Sequence, residues 1–175
     1  EALKPRWLIV ENVRRMRQWD RHNELVETIE AAGYTVSDLY LNATDFGTPQ
    51  SRKRMFLVGD QKGTTVTEDH VRGYSKKHRG KNAKSILSPD RRFNFSPLYK
   101  KGRAKATIER AERAIAELGP GVDFIIVYYG SDYAGGWQKL DAPLRTVTTL
   151  DRFALVRWVN GVPYMRMLQP EELLR

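Results

Sequence analysis

Apolar residues along this chain fall into blocks of two kinds. Residues 7–13 are a nearly continuous apolar run, Trp7 to Val10, that ends in Glu11, Asn12 and Val13. Such a run predicts a strand covered on both faces, the habit of a parallel sheet. A helical period follows, with Leu25, Ile29 and Ala32 on one face, Asp20 as N-cap and Gly33 as the glycine just past the end. Residues 34–41 predict a second strand and 54–60 a third, with a Gly- and Pro-containing loop over 42–53. The order strand, helix, strand predicts a β-α-β unit of a parallel α/β sheet.

The rhythm then lapses. Residues 61–103 are polar and basic, show no sustained period, and carry Gly63, Gly73, Gly80, Pro89 and Pro97. Phe93, Phe95, Leu98 and Tyr99 predict a small irregular core there. A clear helix follows over 104–118, with Ala104, Ile108, Ala111, Ile115 and Leu118 on its apolar face and Gly119-Pro120 as its stop. Strands are predicted at 124–129, near 145–149 and at 153–159, with a turn-rich loop from Gly130 to Gly136 and a turn at Asn160-Gly161. The loop, followed by Trp137, reads equally as a groove-reaching element or a plain hairpin. The tail from Leu168 to Glu172 has the proline and acidic residues of a first helical turn. The chain opens on Glu1 rather than Met and stops at Arg175 within that turn, so both ends read as cuts in a longer chain.

Composition narrows the function classes. The 175 residues contain no cysteine, which excludes a disulfide framework, cysteine-ligated zinc and a thiol nucleophile within this sequence. No apolar run of membrane-spanning length and no leader pattern is present, and a cytoplasmic setting is expected. His22, His70 and His78 are scattered and read as surface groups rather than a metal site. The net charge is +9, and it is not spread evenly. From Arg72 to Arg113 stand 14 basic and 3 acidic residues, a local +11 that accounts for the whole excess. Clustered positive charge beside near-neutral flanks points to a phosphate backbone, or else to a solvated basic loop.

Two short motifs carry candidate chemistry. Glu11-Asn12-Val13 closes the first strand at its carboxyl end, the edge where open α/β sheets bind ligands. A carboxylate there accepts from an amino group or, protonated, donates to a ring nitrogen; a helix cap or a surface charge would look the same. Gly47-Thr48-Pro49-Gln50-Ser51-Arg52-Lys53-Arg54 couples a turn to two arginines two residues apart. Alternation along an extended segment places Arg52 and Arg54 on one face. Paired guanidiniums suit phosphate or carbonyl recognition, and they equally suit a strand edge kept from aggregating.

In this order and spacing the two motifs resemble those of bacterial and phage DNA cytosine-5 methyltransferases. That family has a Glu-Asn-Val strand end followed by a Gln-x-Arg-x-Arg loop. Tyr128-Tyr129-Gly130, the block from Asp141 to Val156, and Arg166-Met167-Leu168-Gln169-Pro170-Glu171-Glu172-Leu173 are similar to the segments that close the family's variable region and open its last motif. The resemblance implies a fold that is α/β: part of a Rossmann-like methyltransferase sheet, then a smaller mixed α+β target-recognition domain. It implies a catalytic portion over 1–60, a DNA-binding target-recognition region over 61–145 and a return segment over 146–175.

The resemblance also implies a chemistry. A thiolate adds to carbon 6 of a flipped cytosine, and carbon 5 then takes a methyl group from S-adenosylmethionine. Glu11 would meet ring N3 and the exocyclic amine, sharing a proton with N3. Arg54 would hold the carbonyl oxygen, and Arg52 would order the loop or bind a phosphate. Asn12 and Gln50 would support that loop. Arg145, Thr146, Thr148 and Thr149 would fix domain packing. Arg72, Lys76, Lys77, Arg79, Lys81, Lys84, Arg91, Arg92, Lys100, Lys101 and Arg103 would mostly bind phosphates of double-stranded DNA and set register. The family's cofactor loop and Pro-Cys segment should precede residue 1, so the chain alone is expected to be inactive. It would need that missing N-terminal catalytic portion, in one longer chain or as a separate subunit. A non-catalytic double-stranded DNA-binding module and a tRNA-modifying relative are the other readings. The large basic insert weighs against the last of these.

Overall fold

The computed structural model describes residues 3–74, 81–129, 136–148 and 152–174. The chain divides into two units, Glu1–Gly80 and Lys81–Arg175.

The first unit is a three-stranded sheet with a helix on one face. Strand β1 (Trp7–Val13) leads through a 3-10 turn (Arg14–Gln18) to helix α1 (His22–Ala31), then to β2 (Thr35–Asn42) and β3 (Lys53–Asp60). A short helix α2 (Glu68–Gly73) follows, capped by the Thr67 hydroxyl, which accepts from the His70 N–H. The strand order is β1-β3-β2, and β3 runs antiparallel to both neighbours. The expected β-α-β step is present in direction, since β1 and β2 point the same way, but β3 is threaded between them. The carboxyl ends of β1 and β2 therefore meet the amino end of β3 at one end of the sheet.

Pleating sends Leu8, Val10, Val36, Met55 and Leu57 toward α1, where they pack with Leu25, Val26, Ile29 and Tyr34. Gly59 makes room for the Tyr34 ring, since a Cβ at that position would lie 3.1 Å from Tyr34 Cδ1. The other side of β1 is not covered within the described residues: Trp7 is 40% exposed, Ile9 64% and Val13 50%. Among the described residues the apolar run is thus covered on one face, where two were expected. Two smaller expectations also fail. The residue before α1 is Arg21, with no side-chain cap, so Asp20 is not the N-cap. His22 is buried, with Nε2 3.8 Å from Asp38 Oδ2, and so is not a surface group.

The second unit is a five-stranded antiparallel sheet in the order β4-β8-β7-β5-β6. Its strands are β4 (Ser96–Pro97), β5 (Phe124–Val127), β6 (Trp137–Lys139), β7 (Phe153–Val159) and β8 (Val162–Met167). Here the double-sided burial read from continuous apolar runs does occur. Phe124, Ile126, Ala154 and Val156 face a core with Leu98, Trp137 and helix α3 (Lys105–Leu118). Ile125, Val127, Phe153 and Leu155 face the opposite core, with Ala83, Ile86, Leu144 and Leu168. The α3 stripe is rotated from the expected one: Thr107, Ala111 and Ala114 are buried, while Ala104 is exposed. Small residues go inward because the helix lies close on the sheet. No strand forms over 145–148, and β8 was not anticipated. Asn160 and Gly161 close the β7–β8 hairpin with φ of 50° and 78°, the left-handed pair a two-residue turn of this kind requires.

The two compact units divide at 80/81, and β5 pairs with β7 within the second of them. The tail does form a helix, α4 (Pro170–Leu173), with a reciprocal capping box between Gln169 and Glu172. Glu172 is fully buried and makes a bidentate pair with Arg166 at 2.7 Å, while accepting from the Ser88 and Gln169 N–H groups. Phe93 and Phe95 lie against the Arg166 guanidinium. Among the described residues no helix is long and apolar enough to cross a membrane.

Candidate active site

Register decides which side chains meet at the end of the first sheet. Val13 stands opposite Arg54, and Glu11 opposite Phe56. Glu11 and Arg54 are thus diagonal neighbours on one face, and Arg52, two residues earlier, approaches the same face. Arg54 Nε lies 3.2 Å from Glu11 Oε1, and Arg52 Nη2 lies 3.7 Å from the same oxygen. The structure therefore brings together the three residues singled out from two motifs some 40 positions apart.

The two arginines are held differently. The Arg54 side chain is 19% exposed, and its Nη1 donates to the Lys53 carbonyl. Arg52 is 41% exposed and has the longer contact. Glu11 is 46% exposed. An ion pair this open contributes only about 0–1 kcal/mol, so a planar polar ligand can displace it at little cost. What such a ligand meets is an anchored N–H donor beside a carboxyl group.

The loop between β2 and β3 is pinned at its base by a residue the sequence reading overlooked. Asn42 Oδ1 accepts from the Arg52 N–H at 2.9 Å, and its Nδ2 reaches Ser51 Oγ at 3.4 Å. The Ala43 N–H donates to the Arg52 carbonyl, closing the loop. Gly47, at φ 81°, ends the short 3-10 turn Ala43–Phe46 inside it. Among the described residues, Gln50 makes no side-chain hydrogen bond and Asn12 bonds only the adjacent Val13 N–H. The signal for Asn42 was its place at a strand end before a loop, where a side-chain amide substitutes for missing ladder bonds.

The expected DNA-contacting cations separate into two groups. Arg72 is tied to Asp45, Glu68 and the Tyr40 carbonyl. Hydrogen bonding to Asp45, then Glu68, raises its pKa above the ordinary arginine value. Arg92 pairs with Glu171 at 2.7 Å, and Arg103 braces a turn through Ser96, Pro97 and Leu98. Lys81, Lys84, Arg91, Lys100 and Lys101 are exposed and carry no ion pair among the described residues. Lys76, Lys77 and Arg79 lie outside the described residues, as do Thr149 and the loop 130–135. Arg145, Thr146 and Thr148 are not fully exposed as a group: the first two are partly buried, and Tyr129 donates to the Thr146 carbonyl.

Comparison with known proteins bears on the same residues. Residues 1–139 match the signature of the C-5 cytosine-specific DNA methylases. The chain belongs to that family. Similar relatives include the type II methyltransferase M.NlaIV of Neisseria lactamica, 43% identical over 72 residues, which are 35% of this chain and 17% of the relative. M.HgiDI of Herpetosiphon aurantiacus is 36% identical over 63 residues, 36% of this chain and 20% of its own length. M.AquIA of Picosynechococcus is 41% identical over 76 residues, 37% and 30%. The matches thus span less than a third of each of these type II methyltransferases. Among solved structures, the Dnmt2 methyltransferase of S. pombe is similar over 55% of this chain and 31% of its own, with 18% identity and a TM-score of 0.46.

Proposed function

We infer that this chain serves a DNA cytosine-5 methyltransferase by holding the target cytosine at the Glu11–Arg54 pair. The observation that supports this most directly is the diagonal contact of those two side chains at the carboxyl end of β1. The hydrogen-bonding edge of cytosine presents a carbonyl oxygen, ring N3 and an amino group in sequence. Arg54, already anchored, donates to the carbonyl oxygen. Glu11, freed from Arg54, accepts from the amino group and, when it carries a proton, donates to N3. That places positive character on N3 as the ring is attacked, which stabilises the charge developing there. Arg52, more exposed and more weakly held, orders the 43–52 loop or meets a phosphate.

The family's methyl donor is S-adenosylmethionine, whose sulfonium is cationic. The groove bordering Arg54 is walled by Arg14, Lys53 and Arg72, with Glu68 already engaged by Arg72. Such a wall does not fit a sulfonium, and no cofactor-holding role is assigned to it. The sequence has no cysteine, so the nucleophile would come from a polypeptide beyond these 175 residues. The uncovered apolar side of β1, with Trp7 and Ile9, supports such a partner, whose own apolar surface would cover it. Residues 61–145 would recognise duplex DNA, with Lys81, Lys84, Arg91, Lys100 and Lys101 meeting phosphates, and 146–175 would return the chain toward the catalytic portion.

Exchange of Glu11 for Gln tests the reading. In protein complemented by the missing catalytic portion, methyl transfer should slow by about 100-fold or more while duplex affinity stays within about twofold. Equal losses in both would make Glu11 a structural residue.

A further inference from the structure

A second basic surface lies in the first unit, where the sequence showed no excess of charge. Directly after Glu11-Asn12-Val13, the 3-10 turn Arg14–Gln18 carries Arg14, Arg15 and Arg17, all exposed. Arg14 and Arg17 lie over the Tyr40 ring, 5.7 and 5.5 Å from its centre. With Arg15, Gln18 and Tyr40 they line an open groove of about 880 Å³. An adjoining groove of about 220 Å³ shares Arg14 and Tyr40 and extends past Lys53 to Arg54. The two grooves share Arg14 and Tyr40 and form a furrow that borders Arg54.

The charges in this furrow are not all balanced. Arg17 is near Asp38 at 3.5 Å, and Arg72 is neutralised by Asp45 and Glu68. Arg14, Arg15 and Lys53 have no acidic partner among the described residues. Stacking on Tyr40 holds the Arg14 guanidinium in place without neutralising it, so its N–H groups remain free for an anion. A flexible lysine patch would be adventitious; an arginine fixed on an aromatic ring, beside another and above a furrow, is arranged for a planar or phosphate oxygen acceptor.

We propose that Arg14, positioned by Tyr40, and Arg15 beside it bind the phosphodiester backbone of DNA next to the flipped cytosine. The placement rests on the reading of Glu11 and Arg54 as the cytosine-holding pair; the phosphate contact itself does not. The contact holds the strand beside the proposed cytosine site. It gives sequence-independent affinity and fixes the distance from backbone to site.

The test is the salt dependence of binding of the 175-residue chain to a labelled 30-base-pair duplex, followed by anisotropy. Arg14→Gln with Arg15→Gln should weaken binding and reduce the log–log salt slope by about 1.8, since each lost B-DNA phosphate removes about 0.9. Arg21→Gln with Lys62→Gln removes the same charge elsewhere on the unit and should leave the slope within about 0.3. Phosphate ethylation should block the parent chain at positions where the Arg14/Arg15 variant is indifferent. An unchanged slope in that variant, an equal drop in both pairs, or no duplex binding by the parent chain each overturns the proposal. Since binding needs no methyl transfer, failure here leaves the Glu11→Gln experiment standing, and the reverse also holds.

Discussion

Glu172 and Arg166 show how a single pair can carry an element. Both side chains are nearly out of solvent, at 0% and 3% exposure. Burial alone would push the Glu172 carboxyl up, but the Arg166 guanidinium and the Ser88 and Gln169 N–H groups outweigh it and hold its pKa below the usual carboxylate value. A depressed folded-state pKa means that the contribution is present above the unfolded value near 4.5 and is lost as pH falls through the folded one. Cutting the pair on one side leaves a buried charge. Arg166→Met or Glu172→Leu alone should therefore cost about 3–5 kcal/mol in urea unfolding, and the double variant clearly less. A double variant as unstable as the sum of the singles would show that the pair does not act as a unit. Asp60 adds a second acid-sensitive point in the first unit. Its burial raises the pKa, but the Thr64 and Lys62 donors and Arg6 bring it down to about 2, so its support is lost between pH 3.8 and about 2. Asp60→Asn should flatten the far-UV circular dichroism transition of the first unit in that window.

At the scale of elements, the apolar rhythm located strands and helices well and assigned their neighbours poorly. Residues 7–13, 153–159 and the span of α3 were legible because burial repeats at a strand or helix period. Pairing direction was not, because a continuous apolar run reports two covered faces or one long edge without saying which. β1 and β5 share that pattern, yet only β5 is buried on both sides. Helix α2 and strands β6 and β8 escaped notice since they are short or carry polar and charged residues at buried places, Gln138 and Arg166 among them. Gly59, within β3, has a steric rather than a conformational reason, the Tyr34 ring. Gly59→Ala should push on the Tyr34 ring and cost about 1–3 kcal/mol, read as a lower urea midpoint with the m-value unchanged. The open face of β1 makes a further prediction: its amides should exchange with solvent faster in the chain alone than after a catalytic portion is added.

Over the whole molecule, the candidate site was legible in outline. Glu11, Arg52 and Arg54 were found from motif order, and they do meet. Asn42 and the Arg14–Tyr40 furrow were not, because their meaning lies in register and in a turn that follows a strand. The basic cluster from 72 to 113 reads as one feature in sequence, but folding spends Arg72, Arg92 and Arg103 on internal partners. Lys100→Gln with Lys101→Gln should reduce the salt slope of duplex binding by about 1.8, whereas Arg103→Gln should chiefly lower stability. A methyl-transfer assay with labelled S-adenosylmethionine and mixed-sequence duplex DNA tests the central claim most directly. The chain is assayed alone, then with a polypeptide carrying the cysteine and cofactor segments of a type II cytosine-5 methyltransferase. Label on cytosine only in the mixture, and its loss in Glu11→Gln, is the predicted result. No label in the mixture, with duplex binding intact, would contradict the account and leave a DNA-binding module without catalysis.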